Sequence, residues 1–182
     1  SLNQIQGSIS IVYDIEALID SQKAAFIGFS SGLYDVPLPM QFIFSDQASD
    51  CHIKGGYRQS SKDFVIKVAG SCKSGNNGSI LVLDAENCEL KAILQDKGFL
   101  TTLRTAIAGM LVLKLMPWKP KNIGIIGSGS LAGQLYELAN SKYPQSNIML
   151  YARNKVKGAA ISGLVCDSVE DFKKGVELVY AK

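Results

Sequence analysis

Lys121-Asn-Ile-Gly-Ile-Ile-Gly-Ser-Gly-Ser-Leu-Ala-Gly-Gln-Leu135 is the stretch on which the fold of this chain turns. A short apolar strand at 123–126 runs into a G-x-G-x-x-A turn made by Gly127, Gly129 and Ala132. An amphipathic run, Leu131, Leu135 and Leu138, then continues as a helix. Strand, glycine turn and helix in that order are the dinucleotide-binding fingerprint. Gly127 permits the tight turn, and Gly129 lets the backbone approach a pyrophosphate. Ala132, with nothing beyond Cβ, lets the helix pack close to the strand. The first N–H groups of the helix lack partners within it and carry partial positive charge, which favours a phosphate. Ser128, Ser130 and Leu131 fill out the turn and are expected beside the cofactor with the three motif residues. The alternative is a βαβ unit whose glycines serve only close packing.

Outward from the turn, the pattern is βαβ: strand 122–127, helix 130–142, strand 147–152. A weaker strand lies near 164–166, followed by a short helix capped by Ser168 with Asp171 at its third position, and a closing strand at 176–181. Upstream, residues 100–116 read as a helix capped by Thr101 or Thr102, and Pro117 and Pro120 end it. Residues 14–30 form another helix, with Asp14 as N-cap, Ile15, Leu18, Ile19, Phe26 and Phe29 on one face, and Gly32 as its stop. Between these helices the period changes to two: strands at 40–44, 52–59 and 64–70, a turn at 73–79, a strand at 80–83, a turn at 85–87 and a strand at 90–94. The expected fold class is α/β. A mainly antiparallel α+β part over 1–117 precedes a partial Rossmann unit, a doubly wound parallel sheet, over 118–182.

Composition narrows the partners. The chain has 182 residues, 47% of them hydrophobic, and a net charge of +3. Its lysines are scattered without aromatic interleaving, so nucleic-acid binding has little support. The longest apolar segment, 107–116, contains Lys114 and is too short to span a bilayer. The first residues have neither the charged region nor the apolar core of a signal peptide. Cys51, Cys72, Cys88 and Cys166 are far apart, and His52 is the sole histidine, so no zinc site is expected. Free thiols in a reducing cytosol are the expected state.

The second βαβ strand bears on the cofactor. Dinucleotide sites for NAD carry an Asp or Glu about 20 residues past the glycines, hydrogen-bonded to the ribose. Here the region reads Ile148-Met-Leu-Tyr-Ala-Arg-Asn-Lys155. No carboxylate stands at the strand end, whereas Arg153 and Lys155 flank Asn154 there. A guanidinium suits a 2′-phosphate, so NADP(H) is favoured over NAD(H). Solvated loop cations are the other reading.

Several segments together resemble the ornithine cyclodeaminase/mu-crystallin family: His52-Ile-Lys-Gly-Gly-Tyr57, Phe64-Val-Ile-Lys-Val-Ala69, the hairpin of 80–94, and Gly98-Phe-Leu-Thr-Thr-Leu-Arg-Thr-Ala106 followed by the glycine fingerprint. The resemblance runs from about residue 30 onward. It implies a substrate-binding and dimerising N-terminal part, a homodimer, and a small amino or keto acid whose carboxylate is held by cations. Lys67 matches the lysine of the F-V-x-K segment and Arg104 the arginine of L-T-x-L-R-T. Both are expected catalytic positions, and the adjoining Thr105 is assigned to the cofactor. Without the resemblance, Lys67 could equally face solvent on an alternating strand, and Arg104 could form a structural salt bridge. The implied chemistry is hydride abstraction from the substrate Cα by a bound nicotinamide, giving an imine. In the cyclodeaminase branch ring closure and loss of ammonia follow, and the hydride returns; other branches stop at ketimine reduction or amino-acid dehydrogenation.

Two departures from the family pattern are visible. The segment Asp35-Val-Pro-Leu-Pro-Met-Gln41 lacks the family's arginine, for which Lys54 is a candidate substitute. The sequence also stops at what reads as a fourth Rossmann strand, before the half in which the family's catalytic aspartate lies. The expectation is therefore either an ornithine-cyclodeaminase-like enzyme present here as a truncated product or fragment, its activity reduced or absent, or a non-catalytic NADPH- or small-molecule-binding protein of the mu-crystallin type.

Overall fold

Residues 1–12, 14–44, 49–72, 75–162, 165–175 and 178–181 are described by the structure, a computed structural model. They fall into two compact units, Ser1–Asp14 with Ala24–Leu100, and Ile15–Lys23 with Thr101–Lys182.

The first unit contains α1 (Leu2–Val12), the later part of α2 (Ile15–Ser30), and six strands: β1 (Tyr34–Asp35), β2 (Met40–Ile43), β3 (Asp50–Arg58), β4 (Asp63–Cys72), β5 (Gly75–Asp84) and β6 (Leu90–Leu94). Every pairing is antiparallel, in the order β1-β3-β4-β5-β6. β2 lies on the same edge of β3 as β1, opposite Asp50–Ile53. The β5–β6 turn is closed by the Asp84 carboxylate, which accepts from the Glu86 and Asn87 N–H groups at 2.8 and 3.3 Å. Lys91 Nζ then joins Asp84 to Asp63, at 2.6 Å from each. Those two carboxylates hold the Lys91 ammonium above its ordinary pKa, and Lys91 holds Asp84 below its own.

The turn expected at 73–79 is a correction. Lys73 and Ser74 lie outside the described residues, but 75–79 belong to β5, paired with β4 out to Gly75 and Cys72. The Asn-Asn-Gly composition reads as a turn, yet a Cβ on Gly78 would stand 2.8 Å from the Val68 carbonyl oxygen. That glycine serves close strand approach. α1 was not expected either, although Leu2, Ile5, Ile9 and Val12 recur along it at helical spacing.

The second unit takes the first half of α2 and adds α3 (Phe99–Leu115), β7 (Asn122–Ile126), α4 (Ser130–Lys142), β8 (Asn147–Tyr151), α5 (Lys155–Ala159), α6 (Val169–Gly175) and β9 (Leu178–Ala181). β8, β7 and β9 are parallel, and Val165 adds a parallel bridge to Leu150 beyond β8. The spatial order is therefore Val165, β8, β7, β9, which in chain order is 3-2-1-4, the order in which a doubly wound dinucleotide sheet begins. One face carries Ile123, Ile125, Ile148 and Leu150, clustered with Leu131, Leu135 and Ala139 of α4. The other carries Met149 and Tyr151, against α6. Phe172 is 1% exposed with its ring 6.2 Å from that of Tyr151, and a Cβ on Gly175 would meet Met149 Sδ at 2.9 Å. The chain thus crosses from one face to the other between Val165 and β9.

Ala106, Ile107, Met110, Leu111 and Leu113 of α3, with Ile19 of α2, are buried in the same cluster as β7 and α4. For that reason the units divide before Thr101 rather than at the expected 117/118. The cap of α3 also differs. The Asp96 carboxylate, 1% exposed, accepts from the Leu100 N–H at 2.7 Å, whereas Thr101 and Thr102 lie inside the helix. The weak strand near 164–166 reduces to the Val165 bridge, with Leu164 outside the described residues, as Val176 is for the closing strand. The Ser168 cap stands as expected: its Oγ accepts from the Asp171 N–H at 3.0 Å and donates to the Asp171 carboxylate at 2.6 Å. No helix among the described residues is long and apolar enough to cross a membrane.

Candidate nucleotide site

The carboxyl ends of β7 and β8 open into two cavities that share Ile126, Gly127 and Ser128. One, of about 210 Å³, continues over Gly129, Ser130, Leu131, Ala132 and Leu135 at the start of α4. The other, of about 320 Å³, continues over Tyr151, Ala152, Arg153, Asn154 and Lys157. In open parallel sheets ligands bind outside the carboxyl ends of the strands, where the strand order reverses. Here β8 and β9 flank β7 on opposite sides, so the reversal falls at the strand that ends in the glycine turn.

Two glycines are kept for different reasons. Gly127 has φ +130, a region that side-chain-bearing residues avoid, and its N–H donates to the Tyr151 carbonyl at 2.9 Å. Gly129, the N-cap residue of α4, has φ −88 and ψ −178, which any residue can adopt. A Cβ there would have nothing within 4 Å. Neither strain nor packing demands glycine at 129, and its missing Cβ leaves the space over the turn open. No side chain caps α4. Its first N–H groups therefore face the smaller cavity without a side-chain acceptor, a donor set that fits a pyrophosphate.

Of the expected cofactor residues, Gly127, Ser128, Gly129, Ser130, Leu131, Ala132, Arg153 and Asn154 line these two cavities. Lys155 does not. Its Nζ donates to the Cys166 carbonyl oxygen and lies 5.1 Å from the centre of the Tyr151 ring. Burial pushes the Cys166 thiol itself up from its ordinary pKa. Thr105 is also absent from both linings, and its Oγ1 donates to the Thr101 carbonyl one turn back in α3 at 2.8 Å. Lys157 was missed by the sequence reading. The available signal was Asn154, whose Oδ1 accepts from the Lys157 N–H at 3.0 Å and so starts a short helix that carries Lys157 to the cavity.

The two expected substrate cations belong to different units. Arg104 is exposed in the second turn of α3, and no carboxylate is paired with it among the described residues, so the salt-bridge alternative has no partner there. Lys67 is partly buried on β4 and stands directly opposite Lys54 of β3. Residues in register on antiparallel strands share a face, and like charges so placed repel. The structure thus brings Lys54 beside Lys67 on the first unit's sheet. On the same pair of strands Asp50 accepts from the Ser71 N–H and Oγ at 3.0 and 2.9 Å, with His52 Nε2 at 3.0 Å. The Ser71 bonds, chiefly the backbone one, hold the Asp50 carboxyl below the ordinary value.

A larger cavity, of about 680 Å³, lies at the opposite end of β7, lined by Trp118, Lys119, Tyr143 and neighbouring prolines; none of the expected site residues reaches it. Among the described residues no group of three His, Cys, Asp or Glu side chains could hold a metal ion.

No protein-family model matches the chain, and no curated protein matches it. Solved structures do. The Thermococcus litoralis Δ1-pyrroline-2-carboxylate reductase, in complex with NADH and L-proline, superposes with a TM-score of 0.79 at 19% identity, over 97% of this chain and 60% of that one. The iminosuccinate reductase of Paracoccus denitrificans, in complex with NAD+, gives 0.77 at 17% identity over 96% and 59%. A probable ornithine cyclodeaminase from Bordetella pertussis Tohama I gives 0.77 at 16% identity over 95% and 57%. This chain therefore has the fold of ornithine cyclodeaminase/mu-crystallin-type proteins through nearly all its length, and spans about 60% of theirs.

Proposed function

We propose that the chain belongs to the ornithine cyclodeaminase/mu-crystallin family and holds a nicotinamide dinucleotide, NADP(H) in preference to NAD(H), at the carboxyl ends of β7 and β8. The second unit is then the first half of a Rossmann-type domain. The observation that carries the reading is Gly129: an unstrained glycine with open space where its Cβ would be, set at the uncapped start of α4. A glycine kept for packing would have neighbours there. The pyrophosphate belongs over Gly127–Ala132, held by backbone N–H groups. The adenosine ribose belongs over 151–154, where Arg153 favours a 2′-phosphate and, among the described residues, no carboxylate lines the cavity to oppose it.

When bound, the nicotinamide supplies the hydride acceptor or donor for a small amino or keto acid. The chain's own part is positioning. Arg104 presents a planar pair of N–H donors suited to a carboxylate. Lys67, in register with Lys54 across β3–β4, is the second cation offered to an anionic substrate. The L-proline in the pyrroline-2-carboxylate reductase structure is an acid of the proposed class. Half-exposed apolar residues on β2 support a homodimer through the first unit, and light scattering tests that directly.

The test is a thermal shift with NADPH and NADH, then a search for reduction of NADP+ by L-proline, L-ornithine, L-lysine and L-alanine. Stabilisation together with turnover supports the enzyme. Stabilisation without turnover leaves a binding protein. Neither result would leave the glycine turn a structural feature.

A further inference from the structure

Resting on the nicotinamide reading above, we propose that Lys157, and not Lys155, is the second cation beside Arg153 that takes the 2′-phosphate of NADP(H), and that Asn154 positions it. A phosphate monoester carries a charge of about −1.5 to −2 at neutral pH. One guanidinium leaves it under-neutralised, so a seat that selects it needs a second cation. Sequence order nominates Lys155, two residues past Arg153. Lys155, however, is turned to the Cys166 carbonyl and the Tyr151 ring, where its charge ties the strand end to the bridge at 165–166.

Lys157 lines the same cavity as Arg153 and is exposed, so its ammonium stays hydrated and mobile enough to meet a phosphate. It reaches that place because the chain turns into α5 at Asn154. The Asn154 side chain accepts the Lys157 N–H at 3.0 Å, which fixes the backbone of residue 157 relative to 154. Gly158 completes the device. A Cβ there would press on Leu150, Ala152 and Val165 at 3.2–3.4 Å, so the glycine lets α5 lie close against the sheet. Arg153 provides a planar fork and Lys157 a point charge, a complementary pair for one tetrahedral anion.

The experiment measures Kd for NADPH and for NADH with the full chain, by calorimetry, in the wild type and in K157A, K157R, K155A, N154A and N154S. The expected result is that K157A weakens NADPH roughly tenfold, about 1.4 kcal/mol, and NADH by less than about twofold. K157R should keep the preference. K155A should lower the melting temperature and leave the NADPH-to-NADH ratio where it was. N154A should weaken NADPH alone by a few-fold, and N154S, which can still cap, should restore it. The preference should also shrink with added salt, since the cations are exposed. If K155A removes the preference and K157A does not, or if K157A weakens both cofactors alike, the assignment of Lys157 is wrong while the nucleotide site stands. If the wild type binds neither cofactor, the underlying reading fails and this one with it.

Discussion

The two sheets of this chain are built on opposite principles. The parallel sheet of the second unit is covered on both faces, by α4 and α5 on one side and α6 on the other, and Ile123, Ile125, Ile148 and Leu150 on it are buried. The antiparallel sheet of the first unit is larger, yet among its unit's described residues only Gly28 and Asp96 are buried. Phe26, Phe29, Met40, Phe42 and Ile43 each remain about half exposed or more. The difference is one of where cohesion comes from. The second unit is held by packing. The first leans on strand hydrogen bonds; ion pairs occur in both, Asp63–Lys91–Asp84 in the first and Glu16–Lys114–Asp20 in the second. A nucleotide cradle benefits from the packed scaffold, because its donors must not move; a sheet with exposed apolar faces is suited to meeting something else.

The largest effect that would sharpen this contrast is a pair of truncations. Leu150 is 0% exposed and Phe42 is 51% exposed. Leu150→Ala should cost roughly 2–5 kcal/mol in urea unfolding. Phe42→Ala should cost less than about 1 kcal/mol in the monomer, since half its surface stays in water. Equal losses would show that the antiparallel sheet is packed as firmly as the parallel one.

A middle-sized effect is expected at Asp96, the buried polar residue of the first unit. Asp96→Ala removes the acceptor for the Leu100 N–H and should cost about 1–2 kcal/mol, whereas Asp96→Asn keeps an acceptor and should recover most of it. If both variants behave alike, the carboxylate's charge rather than its hydrogen bond matters at the start of α3.

The smallest effect concerns acid. Asp50 and Asp84 both lie below the ordinary value of 3.8, Asp50 through its Ser71 bonds and Asp84 through Lys91. Groups with depressed values contribute stability that is fully present above 3.8 and is lost as pH falls through the lowered folded value. Hydrogen exchange should therefore loosen β3–β5 amides in acid before those of β7 and β8. Simultaneous loosening of both sheets would contradict the assignment of the acid-sensitive carboxylates, Asp50 and Asp84, to the first unit's sheet.

The legibility of the fold follows the same division. Buried parallel strands and their helices announce themselves by apolar runs and a period near 3.6, so β7, α4 and β8 were readable almost to the residue. The first unit was harder because its strands take their neighbours from far away in sequence. Gly75–Ser79 became strand because β4 offers a partner, and two-residue β1 exists only through Arg58 and Tyr57. Within the site, the glycine turn and Arg153 were visible by motif and spacing. Lys155 and Lys157 could not be told apart by spacing, since a short helix capped by Asn154 decides which lysine reaches the cavity.

The central claim is that the turn at Gly127–Ala132 is a phosphate cradle rather than a packing device, and one substitution separates the two. Gly129→Val fills space that the protein leaves empty, at backbone angles valine accepts. Calorimetric titration of NADPH into the full chain should give saturable binding in the wild type. In Gly129→Val binding should be weaker by at least about tenfold, or 1.4 kcal/mol, with an unchanged circular dichroism spectrum. Undiminished binding in the variant, or none in the wild type, would contradict the account.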